Sequence, residues 1–418
     1  MVAAFIANRI AFNQQKSFSR FIIRLSVAAT IISVAVMIIT VSLANGFQQS
    51  VSQKVFSFWG HIRIQEKQPD KVIISEETPI QRNDSLVKTV QANPQVQSIH
   101  SFATKYAILK TKEDMEGVLV KGFDSSYNFS QLKQFITEGR PIQFNDSTYS
   151  REILLSHHTA KQMGVKVNDK ILIYFIREAA AGEQDMTQKL RPDKLTVTGI
   201  YKTGIEEYDK LFAIGDIKLI QRLNYWQPSQ IGGYEVFLKD YKQIEPVQEQ
   251  IYQQDNFPAT LDAISVKRIS PNIFDWLGLM DMNRNVLIAF MVVIAVINLI
   301  TCLIILVLER IRMVGILKAL GASNWEVQKI FLRHTLIITL TGIVVGTLLA
   351  LGLLWLQQAT GFIRLKEEAY YISTAAVKIV WWQVLAIGAG TLLITLLVLM
   401  LPSIIVRKVQ PVMAIQFR

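Results

Sequence analysis

Cysteine is nearly absent: Cys302 is the only one among 418 residues, and it lies inside an apolar run. No disulfide can form within the chain, so any domain outside a membrane must be held by its own core. Histidine is scarce as well. His61, His100, His157, His158 and His334 show no metal-ligand spacing and no H-E-x-x-H. The adjacent His157 and His158 read as surface residues at a helix start. No G-x-x-x-x-G-K-[S/T] phosphate loop is present, which excludes ATP binding in the usual way. No Ser/His/Asp constellation can be assembled, so a membrane-anchored enzyme lacks a chemical basis.

Charge is missing from four long stretches: Leu25–Ala44, Asn285–Leu308, His334–Ile363 and Ile379–Val406. Each reaches the roughly 20 residues that a helix needs to cross about 30 Å of hydrocarbon. The first could be a signal peptide, since Ser42 and Ala44 resemble a cleavage site. It exceeds the usual apolar length of such a segment and runs on into Gly46 and Phe47, so it reads as a retained anchor. Mean hydropathy is only +0.28, which matches a chain part membrane and part aqueous.

The net charge of +11 is unevenly placed. Residues 1–46 carry +4, residues 47–275 carry zero from 28 basic and 28 acidic residues, and residues 276–418 carry +7. The excess flanks the apolar runs, where basic residues mark the cytoplasmic side. This placement removes the nucleic-acid reading that a pI near 9.5 would otherwise suggest. The expected layout is a cytoplasmic interfacial helix at 1–20, a first span at 21–46 and an external domain at 47–275. A stalk and second span at 276–308, a cytoplasmic connection at 309–333 and a third span at 334–357 follow. A short outer loop at 358–378, a fourth span at 379–403 and a cytoplasmic tail at 404–418 complete it.

The 47–275 block reads as α+β. Strands are expected at His61–Gln65, Ser98–Lys110, Met115–Lys121, Ile171–Arg177, Lys194–Tyr201 and Gly233–Lys239, all rich in β-branched and aromatic residues. Helices are expected at Asp84–Gln91, Ser156–Met163, Asp216–Leu223 and Tyr241–Gln253, with Asp216 and Asp240 as N-caps. The grouping suggests two subdomains, the central one at about 100–225 inserted into the other. Between two strands, Ala179–Asp193 lacks apolar periodicity and reads as a long protruding hairpin loop.

The stretch from Leu308 to Ser323 begins as a charged continuation of the second span and breaks at Gly321. Ser323 and Glu326 then form an S-x-x-E capping box for the next helix. A turn between antiparallel helices needs only a few residues, so a helix of this size between two spans reads as a docking surface.

The run Asn298–Ala322, with Leu-Glu-Arg-Ile-Arg-Met-Val-Gly-Ile-Leu-Lys-Ala-Leu-Gly-Ala at its end, resembles the FtsX/MacB superfamily of ABC transporter permeases. Val120–Asp124, Glu138–Ile142 and Glu152–Ser156 resemble that superfamily's periplasmic core, and Arg407–Ile415 its tail. Val197–Asp209, ending Thr-Gly-Ile-Glu-Glu-Tyr-Asp, is most similar to the LolC/LolE-type permeases of lipoprotein-releasing systems. The resemblance implies a membrane protein of four transmembrane α-helices, with a large MacB-like periplasmic domain inserted between helices 1 and 2. It implies a permease in the bacterial inner membrane, with both termini cytoplasmic. Its partners would be two ABC ATPase subunits, which bind ATP and magnesium, and a second permease copy or paralogue. A lipoprotein substrate, drawn from the outer leaflet, would pass to a periplasmic lipoprotein chaperone. No cofactor would sit in this chain.

By the same resemblance, the ATPase would dock on Glu309, Arg310, Arg312, Met313, Gly315, Ile316, Leu317, Lys318, Leu320 and Gly321. The chaperone would meet Arg177, Gln184, Met186, Gln188 and Arg191 in the hairpin loop, whose sequence departs from that of the family. Acyl chains favour a bilayer by about 0.8 kcal/mol per buried CH₂, so extraction needs an apolar shelter. Met37, Val41, Phe47, Met282, Leu287, Phe290 and Met291, at the outer ends of the first two spans, are candidates for it, because Met adapts to varied shapes. The alternative for these residues is ordinary helix packing or lipid contact. C-type and E-type roles both stay open. Alternatives for the whole chain are a MacB-like efflux permease and an FtsX-like transmitter that signals to a periplasmic partner.

Overall fold

The computed structural model describes residues 18–67, 76–145, 148–175, 192–309 and 311–398. The chain divides into two compact units. One holds residues 1–49, 276–364 and 374–418; the other holds 50–275 and 365–373. Most of the expected interfacial helix and all of the tail lie outside the described residues.

Ten helices of six residues or more run through the described residues. They are α1 (Phe18–Trp59), α2 (Asp84–Gln91), α3 (His157–Gln162), α4 (Glu206–Leu211) and α5 (Ile217–Leu223), then α6 (Ile244–Tyr252), α7 (Pro271–Glu309), α8 (Ile311–Ala319), α9 (Asn324–Thr360) and α10 (Trp381–Val398). Within them, Arg24–Trp59, Pro271–Thr301 and Trp325–Thr360 are long and apolar enough to cross a membrane. Trp381–Leu397 is apolar but shorter among the described residues. Helix α7 runs without a break from Pro271 to Glu309.

In the first unit, Val34, Ala35, Met37 and Ile38 of α1 pack on Ala350 and Leu354 of α9, with Ile288, Met291 and Val292 of α7 and Val384 and Ile387 of α10 around them. No hydrophobic force drives helices together inside lipid, so close approach has to come from small residues. Gly346 supplies it: a Cβ there would lie 2.8 Å from the Ile31 carbonyl oxygen.

The second unit is built on strands β1 (Ile62–Glu66), β2 (Ile80–Gln81), β3 (Val96–Lys110), β4 (Met115–Phe123), β5 (Ile136–Gly139) and β6 (Glu152–Ser156). They continue as β7 (Lys170–Phe175), β8 (Pro192–Tyr201), β9 (Phe212–Asp216), β10 (Gln230–Ile231), β11 (Gly233–Leu238) and β12 (Leu261–Ser265). Ten of them form one mixed sheet in the order β12-β1-β11-β3-β4-β9-β6-β8-β5, with β7 pairing β3 and β8. The β4–β9 and β6–β8 pairs are parallel. Strands from inside and outside the 100–225 stretch share this sheet, joined through β3, whose 15 residues pair with β4, β7 and β11.

The six expected strands and four expected helices all form within a few residues of their expected ends, except that the end of the strand expected at Ile171–Arg177 lies outside the described residues beyond Phe175. Asp216 caps α5 by accepting from the Lys218 N–H, and Asp240 caps the turn before α6 by accepting from the Lys242 N–H. Strands β2, β5, β6, β9, β10 and β12 were not expected from periodicity. All five residues of β9 are buried, so it shows no alternation. A short apolar run of this kind reads equally as buried helix or central strand.

His61, at the start of β1, accepts a hydrogen bond from the Leu238 N–H through Nδ1 at 3.1 Å and stacks on Phe56. Burial lowers its pKa to about 4, against a small opposing pull from Asp240. A folded-state pKa below the unfolded value of about 6.5 means that the unfolded chain binds the extra proton, so stability falls as pH drops from 6.5 to 4. The loss from this group amounts to about 3 kcal/mol. Chemical unfolding at pH 7 and pH 4 should show a pH penalty smaller by that amount in His61→Asn than in the unsubstituted protein.

Candidate functional site

The connection between α7 and α9 is a capped helical hairpin. Helix α8 ends in a Schellman motif: the Ala322 N–H donates to the Leu317 carbonyl at 2.9 Å and the Gly321 N–H to that of Lys318 at 3.0 Å. Gly321 has φ +92°, which a side chain would strain. The expected capping box is present, with Ser323 accepting from the Glu326 N–H and Glu326 accepting from the Ser323 N–H. Val314 on α8 and Val327 and Ile330 on α9 are buried. Ile316 is 53% exposed and Leu320 80%, while Met313, Leu317 and Lys318 are half-buried and Gly315 is buried. The side chains of Glu309 and Arg312, and the whole of Arg310, lie outside what is described.

Trp325, which the sequence reading missed, is 59% exposed on the first turn of α9. The Lys329 ammonium lies 5.4 Å from its ring centroid. An aromatic residue two places after an N-cap was the available signal. Together Ile316, Leu320 and Trp325 give the hairpin three large exposed apolar side chains, a composition suited to protein contact.

The seven candidate shelter residues separate into groups. Met37 and Val41 are buried, and Met37 and Met291 belong to the α1–α9 packing cluster. Met282, Leu287 and Phe290 are exposed on α7. Phe47 meets the Trp276 ring edge-on at 5.1 Å. The candidate chaperone residues Arg177, Gln184, Met186, Gln188 and Arg191 all lie outside the described residues. The strands on either side, β7 and β8, are antiparallel neighbours with Tyr174 opposite Pro192, as a hairpin requires.

The Thr-Gly-Ile-Glu-Glu-Tyr-Asp element forms a tight turn after β8. Asp209 is buried and accepts hydrogen bonds from the Thr203 N–H at 2.9 Å, the Thr203 hydroxyl at 2.8 Å and the Gly204 N–H at 3.0 Å. Tyr208 pairs with the Ser270 hydroxyl at 2.6 Å and stacks on Phe58. Burial raises its pKa, so it stays neutral. Lys54, toward the far end of α1, lies 3.9 Å from the Glu367 carboxylate and donates to the Tyr371 carbonyl at 2.6 Å. A cavity of about 430 Å³ opens beside the turn, lined by residues that include His157, His158, Lys161, Lys202, Glu206 and Lys366. The two histidines open α3 as expected, with His157 exposed and His158 half-buried, and both line this cavity.

The family model of the MacB-like periplasmic core domain matches residues 25–254, and that of the FtsX-like permease C-terminal matches residues 285–411. The lipoprotein-releasing system transmembrane protein LolE of Haemophilus influenzae is 25% identical over 420 residues, covering 97% of each chain. The corresponding LolC of the same organism is 26% identical over 411 residues, covering 96% of this chain and 94% of that protein. A solved structure of the periplasmic region of MacB from Actinobacillus actinomycetemcomitans aligns with 51% of this chain and 91% of its own, at 14% identity and a TM-score of 0.33. With a MacB-like core domain over more than half its length and an FtsX-like C-terminal region after it, the chain belongs to the FtsX/MacB family of ABC transporter permeases.

Proposed function

We propose that this chain is the membrane subunit of an ABC transporter that releases acylated lipoproteins from the inner membrane to a periplasmic chaperone. The observation that carries this reading is the collinear likeness, over 97% of both chains, to a lipoprotein-releasing transmembrane protein. ATP and magnesium are bound by a separate ATPase in two copies, and the α8–α9 hairpin receives it through Ile316, Leu320 and Trp325. A second permease copy or paralogue completes the membrane part. The chain spans the membrane four times, α10 being the fourth span, with both termini cytoplasmic. The charge partition supports this orientation. With Cys302 replaced by alanine, a thiol reagent that cannot cross the membrane should label Ser125→Cys in intact spheroplasts and leave Ser323→Cys unlabelled. Labelling at 323 without permeabilisation contradicts the orientation.

The exposed α7 residues Met282, Leu287 and Phe290, together with Phe47, form the shelter for acyl chains. Met37 and Met291 serve helix packing instead, which their place in the α1–α9 cluster supports. A photo-crosslinker at Met282 or Phe290 should capture acylated protein several-fold above one at Leu348 on α9. Capture should fall when ATP and chaperone are added. Equal capture at all three positions, or none, rules out this path.

A further inference from the structure

The Thr-Gly-Ile-Glu-Glu-Tyr-Asp turn also lies against the segment 365–373. Residues 365–373 belong to the domain unit, yet they join α9, which ends at Thr360, to α10, which begins at Trp381. A plain turn would suffice to connect two helices. This segment instead closes on itself, the Leu365 N–H donating to the Ser373 carbonyl at 2.9 Å, around a one-turn helix at Glu367–Tyr370. Tyr371 ends that helix in the left-handed region at φ +59°, its N–H on the Glu367 carbonyl at 2.8 Å. The Glu367 carboxylate is ion-paired with Lys202 and lies 3.9 Å from Lys54 Nζ, which itself donates to the Tyr371 carbonyl at 2.6 Å. Gly204, with φ +75°, lies directly against these groups: a Cβ there would collide with the Glu367 carboxylate and come within 2.7 Å of Lys54 Nζ. The three segments brought together, α1, the β8–α4 turn and the 365–373 segment, are far apart in sequence.

We infer that Glu367 is a latch that fastens the α9–α10 connection into a cradle made by Lys54, Lys202 and Gly204, and that this latch stays closed while the transporter works. It gives α9 and α10 their own mechanical link to the periplasmic domain, beside the direct continuity of α1 and α7. A single exposed ion pair would be too weak for this. Here one carboxylate is shared by two lysines, one of them largely buried, against a turn whose Gly204 holds the left-handed φ of +75° that side chains rarely adopt. The turn that carries Gly204 is itself fixed by the Asp209 carboxylate.

The test uses the full chain reconstituted in nanodiscs with its ATPase, comparing the unsubstituted protein with Glu367→Gln and Lys202→Ala. Lys202 is exposed enough that its replacement leaves the fold intact, and amides of β4 and β9 report this directly. Both variants should raise amide hydrogen exchange across 365–373 at least tenfold, with β4 and β9 unchanged, and lower ATP hydrolysis coupled to substrate about three- to tenfold. Unchanged exchange in both variants overturns the latch. Faster exchange with unchanged coupling overturns its mechanical role. The coupling readout rests on the proposed transport function and the exchange readout does not, so failure of one is distinguishable from failure of the other.

Discussion

Replacing Glu235 with alanine should destabilise the periplasmic domain by about 3–5 kcal/mol, the cost of leaving a buried charge without its partner. Glu235 on β11 and Lys121 on β4 lie either side of β3, both fully buried, with Nζ and Oε1 2.6 Å apart. Lys121 also donates to the Phe58 carbonyl and stands 4.7 to 5.0 Å from the ring centroids of Trp59, Phe58 and Phe123. Arg63, beside it, is paired with Glu77 and lies 4.0 Å from the centroid of the Phe102 ring. Burial lowers the Lys121 pKa to about 8 while Glu235 pushes it back up, and burial raises that of Glu235 against the pull of Lys121. Each charge is therefore kept by the other. Native domains are stable by about 5–15 kcal/mol, so the single change removes a large share. The double variant Lys121→Met/Glu235→Leu removes both charges at similar volume and should recover most of the loss. Denaturant unfolding of the two variants checks this, and equal losses in both would show that packing rather than charge pairing is at stake.

Gly321→Pro should abolish productive contact with the ATPase. Proline fixes φ near −65°, whereas Gly321 sits at +92°, and proline also lacks the N–H that donates to Lys318. The end of α8 must rearrange, and Leu320 moves with it. Leu320→Glu is the gentler companion, because its side chain already faces solvent and its replacement costs the fold little. An exposed apolar anchor at an interface is worth about 2 kcal/mol or more, so ATPase affinity should fall about thirtyfold. Co-purification from detergent and substrate-linked ATP hydrolysis measure both variants, with insertion checked by membrane fractionation. Unsubstituted affinity in Leu320→Glu would place the ATPase contact elsewhere.

Where a signal was local, the sequence carried it. The capping box at Ser323 and Glu326, the break at Gly321 and the caps at Asp216 and Asp240 depend on residues within four positions of one another, and all appear in the structure. The apolar runs on α1, α7 and α9 were readable because lipid tolerates no charge over 20 residues. Strands β3, β7 and β8 showed enough alternation and β-branching to be placed within a few residues. Strand β9 was hidden for the opposite reason, being apolar on both faces between β4 and β6.

By itself the sequence determined the membrane character, the single large inserted domain, the helical hairpin before α9 and the family, since each rests on composition, local spacing or contiguous motifs. Only the tertiary structure decided which apolar residues on the spans are packed and which are free: Met37 and Met282 are chemically alike, and one is buried against α9 while the other is exposed. It also decided the partners of charged residues. Lys121 finds Glu235 across 114 positions of sequence, and Lys54 finds Glu367 across 313. The physical reason is the same in both cases: whether a side chain is desolvated, and what compensates it, depends on chain segments that meet only after folding.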